Sequence, residues 1–299
     1  GGYTTTDWTT YNPTANPTTL DAQGGGRVIS TTNVAVTLQG FTVTNGYISS
    51  SVDADGGGIY AAGALTLTDM SVYSNTITGT AITLRGGGVY ANGIALVANT
   101  RFDQNHARYQ GGGALFNNTV SMTGTTFSSN TSGDWGGGAM FWDTTVMTGA
   151  TFTSNTAYNG GGAFFGSTAS VIGTTFTNNT AQFGGGGAWF NISANVTGTT
   201  FVRNTSTFNG GGAYFNNAPS KQLVNVLFDR NQATTNGAAI YVSGATPLSL
   251  LHTTIVSPTA PTGGTEAIYV TGGTVYITNT LIATHTVGIQ QAGGTVSEN

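Results

Sequence analysis

The chain has 299 residues, of which 6% are charged, and its formal net charge is -4. A typical soluble domain carries about 25% charged residues, but 38% hydrophobic and 10% aromatic residues still argue against disorder. Seven basic residues form no basic face, so we expect no nucleic-acid partner. No apolar run has the length of a membrane span, which predicts no membrane insertion by this segment. The lack of cysteine excludes disulfides and thiolate metal sites.

The first part of the chain, residues 1–55, predicts N-terminal coils with a surface loop near residues 4–19. Threonines and two prolines, Pro13 and Pro17, dominate that stretch, and this composition is typical of loops. Apolar and polar residues then alternate from Val34 to Leu38, as they do in a short strand. Because the chain begins with glycine and shows no signal-like segment, we expect a processed or excised product.

Residues 56–241 contain a repeat with two motifs. The first motif is Phe-x-x-Asn, whose successive phenylalanines are 25, 25, 24, 25 and 27 residues apart. Its six copies are Phe102 with Asn105, Phe127 with Asn130, Phe152 with Asn155, Phe176 with Asn179, Phe201 with Asn204, and Phe228 with Asn231. The second motif is a Gly-rich tract followed by apolar residues. Its clearest copies begin at Gly112, Gly137, Gly161, Gly186 and Gly211, and looser copies begin at Gly57, Gly87, Gly237 and Glu266.

Each repeat holds short alternating runs separated by Gly, Asn and Thr, and none of it has the pattern of an amphipathic helix. A unit of about 25 residues cannot bury its apolar face alone, so neighbouring units must stack. We therefore predict an all-β fold, a single-domain right-handed parallel β-helix over residues 1–299. Its regular coils span residues 56–241, and irregular coils follow at 242–299.

The two motifs together resemble the repeats of polymorphic outer-membrane proteins. More broadly, they are similar to the right-handed parallel β-helix passenger regions of bacterial surface proteins. The strict resemblance covers about residues 56–241, and no β-barrel translocator segment accompanies it. The resemblance implies the fold and an extracellular or bacterial cell-surface location, but it implies no particular activity.

Stacking also predicts the role of the repeated residues. Equivalent positions of adjacent coils lie about 4.8 Å apart, so each side chain meets near-copies of itself. The phenylalanine of Phe-x-x-Asn should form an internal ladder, and its asparagine should take a left-handed turn position and pass amide hydrogen bonds between coils. The glycine tract should mark a tight corner. Identical charges would repel at this spacing, which accounts for a surface rich in Thr and Asn.

Two neighbouring rows after the glycine tract must face opposite sides of the strand. We expect the varied row to point inward; it comprises Leu115, Met140, Phe164, Trp189, Tyr214 and Ile240. The uniform aromatic row would then be an exposed stripe that contacts a partner or a glycan; it comprises Phe116, Phe141, Phe165, Phe190, Phe215 and Tyr241.

Neither end of the sequence shows the helix that normally covers the open edge of a solenoid. An open edge is a template for further strands. We therefore expect either a longer protein or head-to-tail pairing with other copies, and self-association into a homo-oligomer or filament is the expected partnership.

Candidate chemistry is sparse. Eleven acids are spread along the chain, and Asp103 and Asp229, which share one motif position, lie five coils apart. Glycosidases need two carboxylates about 5–10 Å apart, so we assign no catalytic residue. Asp53 and Asp55 resemble the start of a Ca²⁺ loop but lack its other ligands, and a turn is the preferred interpretation. We expect no metal site and no cofactor.

The favoured function is an extracellular structural or adhesive rod that is not an enzyme. Two alternative functions belong to other classes. One is a carbohydrate-active β-helix enzyme, a lyase or glycosidase, which requires acids and a base on one face. The other is a carbohydrate-binding module in which the aromatic stripe, or Trp135, Trp142 and Trp189, stacks on sugar rings. Partners would be further copies of the chain, glycans, or the surface of a host or neighbouring cell.

Overall fold

The computed structural model describes residues 1–4, 6–52, 54–216, 220–244, 247–257 and 266–298. Within these residues the chain is an all-β solenoid of parallel strands without any helix, and so none that could cross a membrane. Each regular coil contributes one strand to each of four sheets, here called sheets 1 to 4 in chain order. The predicted parallel β-helix is confirmed.

Three of the four sheets have eleven strands and therefore run through eleven coils. Sheet 1 consists of Thr18–Asp21, Phe41–Thr44, Ser71–Tyr73, Arg101–Asp103, Thr126–Ser128, Thr151–Thr153, Thr175–Thr177, Thr200–Val202, Leu227–Asp229, Thr254–Val256 and Leu281–Ala283. Sheet 2 consists of Tyr47–Ser50, Thr76–Gly79, His106–Ala107, Thr131–Ser132, Thr156–Asn159, Thr180–Gly184, Thr205–Ser206 and Gln232–Ala233, beside the separate pair Ala54–Asp55 and Leu84–Arg85.

Sheets 3 and 4 complete each coil. Sheet 3 consists of Ile29–Thr31, Ile59–Ala61, Val89–Ala91, Ala114–Phe116, Ala139–Phe141, Ala163–Phe165, Ala188–Phe190, Ala213–Phe215, Ile240–Val242, Glu266–Val270 and Val287–Gln291. Sheet 4 consists of Val36–Gln39, Leu65–Thr68, Ala95–Ala98, Val120–Thr123, Thr145–Thr148, Ala169–Ile172, Ala194–Thr197, Lys221–Val224, Leu248–Leu251, Thr274–Thr278 and Thr295–Glu298.

The phenylalanines of the Phe-x-x-Asn motif stack inside sheet 1. Phe127 pairs in register with Phe152, and their ring centroids are 4.7 Å apart with an interplanar angle of 6°. The other adjacent pairs from Phe102 to Phe228 stack at 4.6 to 4.9 Å. All six side chains are fully buried. Stacked rings at strand spacing therefore continue the packed core from one coil to the next.

The asparagines of the same motif form a buried hydrogen-bonded column. The Asn155 Oδ1 atom accepts hydrogen bonds from the backbone N–H and the side-chain Nδ2 of Asn130, each at 3.0 Å. The Asn155 Nδ2 atom in turn donates to Asn179 Oδ1 and to the Phe127 carbonyl. The same pattern runs from Asn75 to Asn231. An amide suits this column because it donates and accepts at once.

The left-handed backbone at this corner belongs to a different residue from the one expected. The residue before each column asparagine has the positive φ, for example Ser129 at 55° and Ser154 at 56°. Several residue types occupy that exposed position, so the sequence repeat does not mark it. The column asparagines are selected for their side-chain hydrogen bonds and not for backbone freedom.

The glycine tract packs coil against coil at the corner between sheets 2 and 3. A Cβ atom added at Gly137 would clash with the carbonyl oxygen of Gly161 in the next coil. Gly136 precedes it with a φ of +66°, where side chains are strained. Glycine is therefore required by both backbone conformation and the closeness of the next coil.

The expected orientation of the two rows in sheet 3 is wrong. The uniform row faces the main core: Phe116, Phe141, Phe165, Phe190 and Phe215 are at most 1% exposed and stack at 5.0 to 5.5 Å. The varied row faces outward but is covered, as described below. The reason is that both rows are apolar, so hydrophobicity does not distinguish them, whereas identical rings stack best in the confined interior.

The last predicted member of each row is displaced by one position. Tyr241 pairs with Tyr214 and so belongs to the outward row, while Val242 pairs with Phe215. Ile240 pairs with Ala213 and is fully buried in the main core. The glycine tract of this coil ends in two alanines, and aligning the motif by its first glycine misplaces the strand by one residue.

The asparagine column predicts a stability cost for Asn155→Ala. The substitution leaves the buried backbone N–H of Asn130 and the carbonyl of Phe127 without these partners, and each unsatisfied group costs about 1–3 kcal/mol. We expect the free energy of unfolding to fall by on the order of 3 kcal/mol in urea titrations. Asn118→Ala, which removes an exposed turn hydrogen bond to Thr119, should cost less than about 0.5 kcal/mol. Equal costs for the two variants would contradict the buried column.

The corrected row orientation predicts a core penalty for Phe165→Ala. A fully buried phenylalanine truncated to alanine costs about 3–5 kcal/mol, whereas an exposed one costs little. Phe208, which is 46% exposed, provides the matched control. The urea midpoint of Phe165→Ala should therefore lie well below that of Phe208→Ala. A Phe165→Ala variant with the native midpoint would support the exposed-stripe interpretation instead.

Candidate functional site

The outward row of sheet 3 forms a second hydrophobic cluster and not an open stripe. Its members are at most 8% exposed: Tyr90, Leu115, Met140, Phe164, Trp189 and Tyr214. The chain between sheets 2 and 3 covers them, and the ring of Trp135 stacks on Phe164 at 5.1 Å. Phe183 contacts Trp189 in a tilted arrangement, with the ring centroids 6.2 Å apart. Neither apolar row of sheet 3 is therefore available as a contact surface.

In the N-terminal coils, charged side chains cover this hydrophobic cluster. The Arg85 guanidinium lies 5.1 Å from the Tyr90 ring centroid and donates to both carboxylate oxygens of Asp55, at 2.7 and 2.8 Å. Arg27 lies 5.2 Å from the ring of Tyr60 and donates to the Asp55 carbonyl. Asp55 is thus bound to arginine, and Asp53, the other residue of the suggested Ca²⁺ loop, lies outside the described residues.

The three tryptophans considered for sugar stacking differ in accessibility. Trp189 is 8% exposed and stacks on Tyr214 at 3.7 Å, so a sugar ring has no access to its faces. Trp135 is half-buried between Phe164 and Trp142. Trp142 is 36% exposed, but its ring meets the ring of Trp135 edge-on. These residues stabilise the cover of the outer cluster and form no open platform.

Most acidic side chains are engaged in turns or ion pairs. Asp103 binds Arg101 at 2.8 Å and accepts a hydrogen bond from Ser128, and Asp229 pairs with Arg230 at 2.7 Å. Asp143 accepts the backbone N–H of Thr144 in an exposed turn. Among the described residues, no group of three His, Asp or Glu side chains could hold a metal ion. The ion pairs and turn caps give these acids structural roles.

One acid lines a cavity of about 390 Å³ between sheet 2 and the following turn. The cavity is lined by Arg108, Tyr109, Gly133, Asp134 and Tyr158. Burial raises the pKa of Asp134. One carboxyl beside one arginine does not supply the two carboxylates that glycoside hydrolysis normally needs. The cavity therefore does not match the enzyme alternative.

A surface rich in threonine covers the outer faces of sheets 1 and 2 through four consecutive coils, with the exposed Arg203 at the corner of the fourth. We call it the threonine face; it comprises Thr126, Thr151, Thr175 and Thr200, then Ser128, Thr153 and Thr177, then Thr131, Thr156, Thr180 and Thr205. The first two columns flank the inward phenylalanines of sheet 1, because alternate residues of a strand share a face. The third column, on sheet 2, is exposed. The repeat T-F-x-x-N-T was visible in the sequence, but its threonines were attributed only to the low charge.

A cleft of about 620 Å³ lies where the N-terminal segment crosses the corner between sheets 4 and 1. The segment is held by the backbone nitrogen of Gly1, which donates to the Gln39 carbonyl at 2.9 Å, and by Tyr11. The Tyr11 hydroxyl donates to Asp69 Oδ2 at 3.0 Å, and Asn99 Nδ2 lies 3.3 Å from Asp69 Oδ1. Burial and the Asp69 carboxylate raise the pKa of Tyr11 to about 12. Sequence reasoning placed a loop here but not this cleft.

The sole lysine of the sequence occupies a core position. Lys221 is 2% exposed and stands in sheet 4 between Ala194 and Leu248. Its Nζ atom donates to the Asn216 carbonyl and lies 6.0 Å from the Phe215 ring centroid. Burial lowers the pKa of Lys221 from 10.5 to about 8. Such a pKa suits a nucleophile, but the interior position makes Lys221 a titrating core residue.

Lys221 predicts a pH dependence of stability. Between pH 8 and 10.5 the unfolded chain holds the lysine proton that the folded chain has lost, so stability should rise with pH through this window. The slope has a limit of about 1.4 kcal/mol per pH unit, and the full gain is on the order of 3 kcal/mol.

Lys221→Met isolates this effect from the titrating tyrosines. The free energy of unfolding of the native chain, minus that of Lys221→Met, should increase from pH 8 to pH 10.5 in urea titrations. A difference that stays constant would show that Lys221 keeps its ordinary pKa in the folded chain.

Comparison with known proteins identifies one coil of the chain as a repeat of a known family. The Chlamydia polymorphic membrane protein repeat matches residues 225–243. That segment contains the motif Phe228 to Asn231 and the strands Leu227–Asp229, Gln232–Ala233 and Ile240–Val242. Neither the curated proteins nor the solved structures gave a match. The matched repeat and the eleven stacked coils make this chain a parallel β-helix repeat protein similar to the polymorphic outer-membrane proteins.

Proposed function

We propose that this chain is an extracellular rod on a bacterial surface, with a structural role and an adhesive one. The observation that carries the proposal is the stack of eleven coils built on a repeat of polymorphic membrane proteins. At about 4.8 Å per coil the stack is roughly 50 Å long, which suits a spacer that holds a surface away from the cell.

The coil interior supports the structural role. The phenylalanine stack and the asparagine column connect successive coils through buried contacts that do not depend on charge. Ionic strength and pH therefore affect these contacts little, because screening acts on charges. A rod outside the cell must keep its shape through such changes of medium.

The threonine face supports the adhesive role. Its four coils present hydroxyl and methyl groups at strand spacing, with one charged residue among them, Arg203, at the corner of the fourth coil. Arg101 and Asp103 bound it at one end, and Asp229 and Arg230 bound it at the other. This ordered surface, which is charged only at its two ends and at Arg203, is the patch that we assign to a partner. It replaces the aromatic row of sheet 3, whose side chains are buried.

A catalytic function has weaker support. The acids that share a motif position, Asp103 and Asp229, are each paired with a neighbouring arginine. Lys221 is enclosed in the core. We therefore propose a contact function and no reaction.

The adhesive role predicts that one charge on the threonine face weakens attachment. Thr156 is exposed between Thr131 and Thr180, so Thr156→Glu places a carboxylate in the uncharged column with little effect on the core. Bacteria that display the native chain should attach to a panel of cultured epithelial and bacterial cells several-fold more than bacteria without it. Display of Thr156→Glu should lower the count at least fivefold.

Ser121→Glu is the matched control, because Ser121 is exposed on sheet 4, away from the threonine face. Antibody labelling of intact cells would check equal display of both variants. If displaying cells attach only to one another, the partner is a second copy of the chain, as in the expected self-association. Native display without any gain in attachment would refute the adhesive role.

A further inference from the structure

Two polar side chains stand at the corner where the N-terminal cleft opens. The residue that follows a sheet 4 strand has a left-handed backbone from Gly40 to Asn279; it is glycine in five coils and Asp, Asn or His in the others. In the cleft the same position is Asp69, with a φ of 53°, and Asn99, with a φ of 48°. Side chains are disfavoured there, although Asp and Asn tolerate the conformation best. The cleft therefore has the side chains of Asp69 and Asn99 at two adjacent corners, beside the bare corner of Gly40.

The Asp69 side chain can still accept hydrogen bonds from a ligand. The Asp69 carboxylate is held by Tyr11 and Asn99, one donor on each oxygen, which leaves further acceptor positions. Asn12, Thr14 and Ser71 line the same cleft and add polar groups. The cleft thus offers a fixed carboxylate among amides and hydroxyls, a set that matches a ligand with several hydroxyl groups.

Exposed aromatic rings adjoin the cleft. Trp8 is 74% exposed, and its ring stacks on Tyr3 at 6.1 Å. Tyr3 in turn contacts Tyr11 at 5.5 Å, and Tyr11 lines the cleft. Large exposed aromatic faces that are not needed for packing indicate a contact site. The three rings form a path from solvent to the carboxylate.

The charge of the cleft limits the chemical class of ligand that it can bind. Its lining contains Asp69 but neither lysine nor arginine, so an anionic ligand would meet only repulsion. A volume of about 620 Å³ is that of a site for a small organic ligand, within the usual ~300–1,000 Å³. Phe41 and Met70 supply apolar lining beside the polar groups. A ligand with one apolar face and many uncharged hydroxyls satisfies all of these features.

We propose that this cleft binds a neutral saccharide. One sugar unit of an oligosaccharide packs its apolar face on the exposed ring of Trp8, and another unit enters the cleft beside Tyr11 and directs its hydroxyls to Asp69 and Asn99. The site belongs to the first coils, at the end of sheet 1, and is separated from the threonine face by Arg101 and Asp103. Saccharide binding goes beyond the adhesive role of the threonine face and does not require it.

The test is an array of neutral, sialylated and sulfated oligosaccharides probed with the full chain. We expect binding confined to neutral glycans. Calorimetric titration with the strongest array binder should show at least tenfold weaker binding for Trp8→Ala and for Asp69→Asn. Asn in place of Asp69 keeps an oxygen for the Tyr11 hydroxyl and tolerates the left-handed backbone, but it removes the charge and part of the acceptor capacity.

Two control variants match these changes. Tyr276→Ala removes an aromatic ring that is 41% exposed on the C-terminal coils, and Asp143→Asn neutralises an exposed turn acid. Both should bind the glycan as the native chain does, and unchanged urea midpoints should show that all four variants are folded. The proposal is overturned if no neutral glycan binds, if only acidic glycans bind, or if Trp8→Ala and Asp69→Asn bind normally. Attachment through the threonine face should be unchanged in Trp8→Ala, so the two proposals fail separately.

Discussion

In-register stacking of coils is the constraint on which the rest of this structure depends. Each residue meets its own equivalent at strand spacing above and below, so a residue type is acceptable only if it interacts well with itself. Phenylalanine stacks, and asparagine both donates and accepts. Identical charges repel, which explains why a chain of this length carries so few of them. Composition, core and surface all follow from this one repeat distance.

Departures from the repeat are informative for the same reason. Asp69 takes a left-handed position at the corner after sheet 4, and its carboxylate is held by Tyr11 and Asn99. Arg85 stands in one column with Asp55 and Gln110, and it pairs with Asp55 in the adjacent coil. A charge or a strained residue in a stacked coil needs a local partner. Its position therefore indicates where the chain does something other than stack.

Much of the fold could be predicted from the sequence because the repeat shows it directly. Phe127, Asn130 and their equivalents recur at one spacing, and that recurrence predicts both columns. Which of the two apolar rows of sheet 3 points into the main core could not be predicted in the same way. Leu115 and Phe116 are both apolar and both buried, one beneath covering side chains and one in the main core. Only the position of the chain between sheets 2 and 3, which has no strong motif, distinguishes them.

The threonine face and the N-terminal cleft were harder to predict than the fold, and for different reasons. The threonine face is fully periodic, so its residues looked like a consequence of stacking and not like a surface. The cleft is not periodic at all, because Tyr11 reaches Asp69 across 58 positions of sequence through a segment with no counterpart in other coils. In a solenoid, a periodic surface suits contact with an extended partner, since its affinity accumulates over many weak equivalent contacts. A single non-periodic cleft suits one small ligand. The coexistence of both on sheet 1 is therefore consistent with a rod that attaches broadly along its length and selectively at its first coils.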